Sequence, residues 1–262
     1  MKFRHFATAL LCTFATPLAA QAPTAGTATF HMSVHPAEAS PVTPGVPAGT
    51  VLETDITYIT DGHRFGMEMI QTLSTMPQLS GMRTLMIFTP GSDTVHMGIL
   101  YSPEMAATIG SPGSRMDLTM AALTTAGEAS SAAMDSIIRV HAHQTYRALG
   151  TTATVAGIVC QEWEIVAGAD TSRTCVIPTP PALASVQDQL KTLAAGIPMV
   201  KMAGLDAMQK DAYGGQALMA IRTISPKMGM TMELTSFKVG APDPSRLELP
   251  AGLQVMPMPG GG

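Results

Sequence analysis

The chain has 262 residues, with 15 Lys+Arg against 19 Asp+Glu for a formal net charge of -4. Apolar residues make up 46% and charged residues only 13%, a balance too apolar and too weakly charged for a wholly disordered protein. The acidic balance also gives no reason to expect a nucleic-acid partner, which a basic stripe would indicate.

The first 22 residues have the layout of a secretory signal peptide. Lys2 and Arg4 give a positive start, residues 6–15 form a short apolar stretch, and Ala20 and Ala22 form an A-x-A cleavage signal. The apolar stretch is shorter than the roughly 20 residues that a helix needs to span a bilayer. We therefore expect a Sec-type signal peptide over 1–22, a periplasmic or secreted protein, and no integral membrane segment after cleavage.

The rest of the chain is dominated by apolar and polar side chains that alternate with a period of two, which is typical of strands. Asp61-Gly62 and Pro90-Gly91 mark short turns, and such short connections require antiparallel neighbours. The predicted strands cover 29–35, 51–59, 63–70, 82–89, 93–101, 135–147, 155–167, 173–177, 216–225 and 227–239.

Helical spacing is rarer. Residues 181–195 follow Pro180 and repeat leucine and valine every three or four positions before Gly196 and Pro198. Further helices are predicted over 114–125 and 199–213. We expect a mainly β (α+β) fold: a single antiparallel domain over 23–256 with helical insertions near 114–125 and 181–213, followed by a flexible tail over 257–262.

Four segments carry a resemblance to a known family. Residues 149–163 read LGTTATVAGIVCQEW, and this stretch is similar to the G-x-T-x-x-I-x-G-x-x-C strand of a secreted bacterial family, domain-of-unknown-function family 4412. Residues 58–64 resemble its Y-x-x-x-G-x-R, 215–219 its G-x-P strand start with Ala217 in place of proline, and 247–253 its terminal F-x-L-P-x-G-Y. The resemblance implies a curved, open antiparallel sheet (half-barrel) with a few helices packed on its concave side, as in the outer-membrane lipoprotein carriers. The family has no established activity, so no catalytic residue is implied.

Cys160 and Cys175 are the cysteines that remain after the signal segment. An even pair in an exported protein predicts a disulfide. The two flank a turn marked by Gly168 and Asp170, and a hairpin brings facing strand positions within disulfide range. Closing a loop of about 15 residues would stabilise the fold by roughly 3 kcal/mol.

Methionine is unusually frequent, with 21 in the chain. Met228, Met230 and Met232 fall on one predicted strand face, and Met67 and Met69 share another. The soft thioether can fill an ordinary core or line a deformable site for an apolar ligand, and both interpretations stay open. On the ligand hypothesis, the apolar stripe of the helix over 181–195 covers the sheet. The candidate lining residues are Phe65, Met67, Met69, Met97, Met230, Leu183, Val186 and Leu190.

Catalytic motifs are missing from the sequence, which has no H-E-x-x-H, G-x-S-x-G, P-loop or G-x-G-x-x-G. We therefore expect a non-enzymatic protein with no catalytic residues and no cofactor, although a triad set by geometry alone stays open. His31 and His35 share a strand face, as do His141 and His143. Arginines accompany the second pair and disfavour a cation, so we predict no metal site.

Three function classes remain open from the sequence. The favoured one is an exported binding or carrier protein for a lipophilic small molecule. The first alternative is a soft-metal protein rich in Met and His, because thioether and imidazole donors suit Cu(I). The second alternative is a structural or envelope-stress protein without a small ligand.

Overall fold

The computed structural model describes residues 24–35, 50–75, 80–119, 144–182, 184 and 212–256. The predicted signal segment and the predicted tail lie outside this part of the chain. Within it the fold is mainly β, because twelve strands form one open sheet and a single α-helix accompanies them. No helix among these residues is long and apolar enough to cross a membrane.

The elements in chain order are β1 Gly26–Val34, β2 Leu52–Thr60, β3 Phe65–Leu73, β4 Met82–Phe88, β5 Thr94–Leu100, α1 Pro103–Ile109, β6 Gly113–Thr119, β7 Gln144–Val155, β8 Ile158–Ala167, β9 Asp170–Pro178, β10 Leu218–Ser225, β11 Met230–Val239 and β12 Gln254–Val255. The strand order across the sheet is β12-β6-β5-β4-β3-β2-β1-β11-β10-β9-β8-β7. Consecutive strands from β2 to β6 are neighbours in the sheet, and helix α1 lies in the connection from β5 to β6. Strand β1 pairs with both β2 and β11 and so joins β2–β6 to β7–β11. Neighbours are antiparallel except β12, which runs parallel to β6.

The prediction of a helix over 114–125 is wrong for its described part. Gly113–Thr119 is strand β6, because its side chains alternate between apolar and charged and β5 supplies its backbone hydrogen-bond partners; residues 120–125 lie outside the described part. Pro181 and Ala182 are helical, but most of the predicted helix over 181–195 also lies outside it. Of the prediction over 199–213, only the start of the 3-10 turn Ala212–Gly215 is described.

Helix α1 was not predicted, although its end signals are in the sequence. The Ser102 hydroxyl accepts a hydrogen bond from the Met105 amide and caps the N-terminus, and Pro103 follows at the first turn. Gly110 ends the helix with φ 74°, a left-handed conformation that glycine adopts without strain. Expecting several helices therefore overstates the helical content of the described residues.

Several strand boundaries also differ from the prediction. Strand β7 runs on to Val155, past the predicted end at 147, and the predicted strand over 155–167 begins only at Ile158. Ala156 and Gly157 form the connecting turn with φ of 48° and 79°, as expected for a two-residue hairpin turn. Met228 lies in the turn before β11 rather than on the strand, and 42% of it is exposed.

The predicted disulfide is confirmed. Cys160 and Cys175 are bonded, with a Cα–Cα distance of 5.5 Å. The register partner of Cys175 is Glu162, so the bond joins diagonal positions of β8 and β9 rather than facing ones. Both cysteines are buried, and they belong to the same core cluster as Phe30, Phe65, Phe88, Val95, Val155, Ile177, Ile221 and Leu234.

Candidate apolar binding face

The side chains of β1–β6 divide between two faces, because successive residues of a strand point to opposite sides of a sheet. The pairing register carries this division across all six strands. The methionine face is the side that bears Phe65, Met67 and Met69 on β3, together with their register partners. The charged face is the opposite side, which bears Gly66 and Glu68 and their partners.

Four methionines form one row across the methionine face. Met67, Met86, Met97 and Met116 are consecutive register partners on β3, β4, β5 and β6, and Tyr58 continues the row on β2. Opposed residues of antiparallel strands lie about 4.5–5.5 Å apart at Cα, so thioethers on neighbouring strands are within reach of one another. All four methionines are half-buried. The row is therefore an apolar strip that stays partly open to solvent.

One side of this row is closed. Phe65, Phe88 and Val95 form the next row toward the β2–β3 turn, and each is at most 4% exposed. The Tyr58 ring lies 5.9 Å from that of Phe30 and 6.1 Å from that of Phe65, and burial raises the pKa of its hydroxyl. The methionine row thus marks the boundary between a filled aromatic core and an accessible apolar surface.

The charged side chains of β1–β6 all lie on the charged face. His31 Nδ1 lies 2.8 Å from Asp55 Oδ1, and His96 Nδ1 lies 2.8 Å from Asp117 Oδ1; such cross-strand pairs stabilise a sheet modestly. The full set is His31, Glu53, Asp55, Glu68, Arg83, His96, Arg115 and Asp117.

Glu68 is on the side that alternation predicts, but it is buried. Arg83 Nε donates to its Oε1 at 2.8 Å, and Arg246 Nη2 donates to its Oε2 at 2.9 Å. Burial acts to raise the pKa of the Glu68 carboxyl, but the hydrogen bonds and charges of Arg246 and Arg83 outweigh it and hold that pKa below its usual range. The carboxylate therefore links β3 and β4 to the distant C-terminal segment.

That C-terminal segment covers part of the charged face. Leu247 is 1% exposed and lies over Gly66, where a Cβ would stand 2.8 Å from Leu247 Cδ2. Leu249 lies over Gly98 in the same way, with 2.8 Å between a Cβ there and Leu249 Cδ2. Two glycines thus give a leucine-bearing segment close access to the sheet. The residues that resemble the family's terminal motif have a packing role.

Two hydroxyls on the methionine face are buried without a hydrogen-bond partner in the described structure, Thr54 Oγ1 and Ser114 Oγ. Thr54 is 1% exposed and Ser114 is 3% exposed. Thr54 is opposite Gln71 on β3, and Ser114 is opposite Ile99 on β5. An unpaired buried polar group costs about 1–3 kcal/mol, so a ligand that supplied a partner would recover part of that free energy.

The structure brings together about half of the predicted lining residues. Phe65, Met67, Met69 and Met97 lie on the methionine face. Met230 pairs with Val34 at the far end of β1, away from the methionine row. The remaining three, which belong to the predicted helix over 181–195, lie outside the described residues: Leu183, Val186 and Leu190.

Sequence reasoning missed Met86 and Met116, which complete the row. Residues 82–89 are a mixed apolar run without clear alternation, and the spacing of 114–125 favours a helix. The turn at Pro90-Gly91 was the available signal, because a tight turn fixes the register of β4 against β5 and so places Met86 opposite Met97.

The two histidines of the first predicted pair have ordinary partners. His31 is paired with Asp55, and His35 Nε2 lies 2.8 Å from Ser33 Oγ. Among the described residues, no group of three or more His, Cys, Asp and Glu side chains is placed to hold a metal ion. His141 and His143 lie outside the described part.

No known family model matches the chain, and no curated protein matches it. Among solved structures, PNGF-II in its C2 and P21 crystal forms matches with TM-scores of 0.33 and 0.34, both at 10% identity. These matches cover 88% of this chain but only 30% and 31% of PNGF-II. MucB matches with a TM-score of 0.37 at 12% identity, over 88% of this chain and 59% of MucB. Similarity this low carries no argument about family or function.

Proposed function

We propose that the protein is exported and binds or carries a lipophilic small molecule without catalysing a reaction on it. The observation that carries the proposal is the half-buried row of Met67, Met86, Met97 and Met116 on a sheet face without charge. Thioethers adapt to irregular shapes, and each acyl CH₂ buried against them contributes about 0.8 kcal/mol. We therefore expect selectivity for a class of ligand rather than for one compound.

Export belongs to the same proposal. The layout of residues 1–22 supports it, and so does the bond between Cys160 and Cys175, since disulfides persist in oxidising compartments. We further propose that the open sheet is curved into the half-barrel of family 4412. The open antiparallel sheet and the four motif-like segments support this assignment.

The test uses protein purified from the periplasm without detergent. Native mass spectrometry and lipid extraction should find an acyl-containing molecule, and a fluorescent acyl probe should bind saturably. Met86→Gln/Met97→Gln places two amides of similar size in the row and should weaken probe binding about tenfold. Met228→Gln is the matched control, because Met228 lies in an exposed turn, and it should leave binding unchanged.

Two outcomes would contradict the proposal. One is folded wild-type protein that shows no saturable uptake of the acyl probe and carries no extractable lipid. The other is a stoichiometric copper adduct in the native mass spectrum that Met86→Gln/Met97→Gln removes, which would favour the soft-metal alternative.

A further inference from the structure

The methionine face of β1–β6 carries no charged side chain, and this absence bears on what it can bind. Its polar groups are the hydroxyls of threonine, serine and tyrosine and the amide of Gln71. We propose that the ligand is an uncharged amphiphile, a neutral lipid with hydroxyl or ester oxygens in its head group, rather than an ionised fatty acid or a phospholipid. This inference rests on the proposed function and names its ligand class.

The physical basis is the cost of taking a charge out of water. An isolated carboxylate or phosphate is strongly destabilised in an apolar site unless a cation pairs with it. The arginines of these six strands, Arg83 and Arg115, lie on the opposite face, and Arg83 already binds Glu68. An anionic head group on the methionine face would therefore meet no cation from β1–β6. A neutral head group gives up only hydrogen bonds to water, which it can replace.

Thr54 is well placed to replace them. Its Oγ1 is buried and unpartnered in the described structure, and Gln71 opposite it presents an exposed amide. Thr54 lies four residues along β2 from Tyr58, or about 13 Å at the rise of a strand. A bound acyl chain can span this distance between the methionine row and Thr54. An acyl chain that lies over Met67 and Met69 would bring its head group to Thr54 and Gln71.

Competition against a neutral fluorescent probe, N-phenyl-1-naphthylamine, tests the ligand class on the full exported chain. Monoolein and oleic acid share the same acyl chain and differ in the head group. At alkaline pH, where oleic acid is ionised, the affinity of monoolein measured by competition is expected to be at least about tenfold higher than that of oleate. As the pH falls and oleic acid becomes neutral, the difference is expected to close.

Thr54→Val tests the head-group contact. It removes a hydroxyl that is unpaired in the free protein, so stability should be kept or raised, while monoolein binding weakens about three- to tenfold. Binding of N-phenyl-1-naphthylamine should not change. Thr72→Val is the matched control, because Thr72 is exposed on the charged face. It should change the affinity for neither monoolein nor N-phenyl-1-naphthylamine.

The failures of the two proposals are distinguishable. Equal displacement by monoolein and oleate at alkaline pH overturns the neutral-lipid inference and leaves the apolar binding function standing. Unchanged monoolein affinity in Thr54→Val overturns the head-group contact. Folded protein that binds none of the three compounds overturns the proposed function itself.

Discussion

The two faces of β1–β6 share one backbone and differ in what alternation places on each side. The methionine face has no charge, keeps a half-buried methionine row and contains two buried hydroxyls without partners. The charged face holds every charged side chain of the six strands, and the C-terminal segment covers part of it through Leu247 and Arg246. On the charged face six of the eight charged side chains form ion pairs with one another. On the methionine face, by contrast, part of the apolar surface stays exposed and two buried hydroxyls have no hydrogen-bond partner in the described structure.

The two faces differ in how much of their surface the fold itself uses. Cross-strand ion pairs and close packing over Gly66 and Gly98 stabilise the charged face. The core of Phe65, Phe88 and Val95 fills one end of the methionine face. The methionine row of this face consists of flexible thioether side chains, which do not require one fixed packing arrangement. A face that is apolar, uncharged and incompletely buried is where a ligand contributes most to the free energy of the folded state.

The largest effect is expected from moving a charge between the faces. Met86→Lys puts an ammonium group on the uncharged face and should lower the free energy of unfolding by about 2–4 kcal/mol, because the charge has no partner there. Thr72→Lys puts the same group on the exposed charged face opposite Glu53 and should change it by less than about 0.5 kcal/mol. Urea unfolding measures the free energy of unfolding of both variants. Equal losses in Met86→Lys and Thr72→Lys would contradict the division into two faces.

A smaller effect is expected at Glu68. Glu68→Gln removes a charge-assisted anchor for Arg83 and Arg246 and should lower the free energy of unfolding by about 1.5–3 kcal/mol near neutral pH. Because the pKa of this carboxyl is depressed in the folded state, its contribution is present above the ordinary value of 4.5 and is lost as the pH falls through the folded value. The difference in the free energy of unfolding between wild type and Glu68→Gln should therefore become smaller at acidic pH.

The control for this prediction is Glu53→Gln, an exposed position on the same face. It should change the free energy of unfolding by less than about 0.5 kcal/mol. If the difference in the free energy of unfolding between wild type and Glu68→Gln stays constant from neutral to acidic pH, the carboxylate does not hold the C-terminal segment.

The smallest effect is expected under the C-terminal segment. Gly98→Ala introduces a methyl group 2.8 Å from Leu249 Cδ2 and should cost about 1 kcal/mol, since the flexible leucine tip can shift. Leu249→Ala made in the Gly98→Ala background should cost less than Leu249→Ala alone, and a double-mutant cycle measures this coupling. Strictly additive costs would mean that Leu249 does not pack on Gly98.

Alternation was enough to predict the strands of the first half of the sheet to within a few residues. β1, β2, β3 and β5 each place apolar side chains on one face and polar ones on the other, so the period of two is visible in the sequence. The same pattern grouped Phe65, Met67 and Met69 on one side. The disulfide was predictable because Cys160 and Cys175 are the pair that flanks one short turn.

The parts that were not predictable depend on distant segments or on short ones. Alternation places Glu68 opposite the methionines, but it cannot show that a segment 178 residues away covers it. Helix α1 has seven residues, too few for a helical period to stand out. The stretch around Met116 fits helical spacing as well as strand spacing until β5 is there to pair with it.

The most direct test of the account is nuclear magnetic resonance of methyl-labelled methionines during a titration with monoolein. Single Met→Leu variants assign the signals of Met67, Met86, Met97 and Met116, with Met228 in its exposed turn as internal reference. The account predicts saturable shifts for the four methionines of the row and none for Met228. Row signals that stay fixed throughout the titration, or that move no more than the Met228 signal, would contradict it.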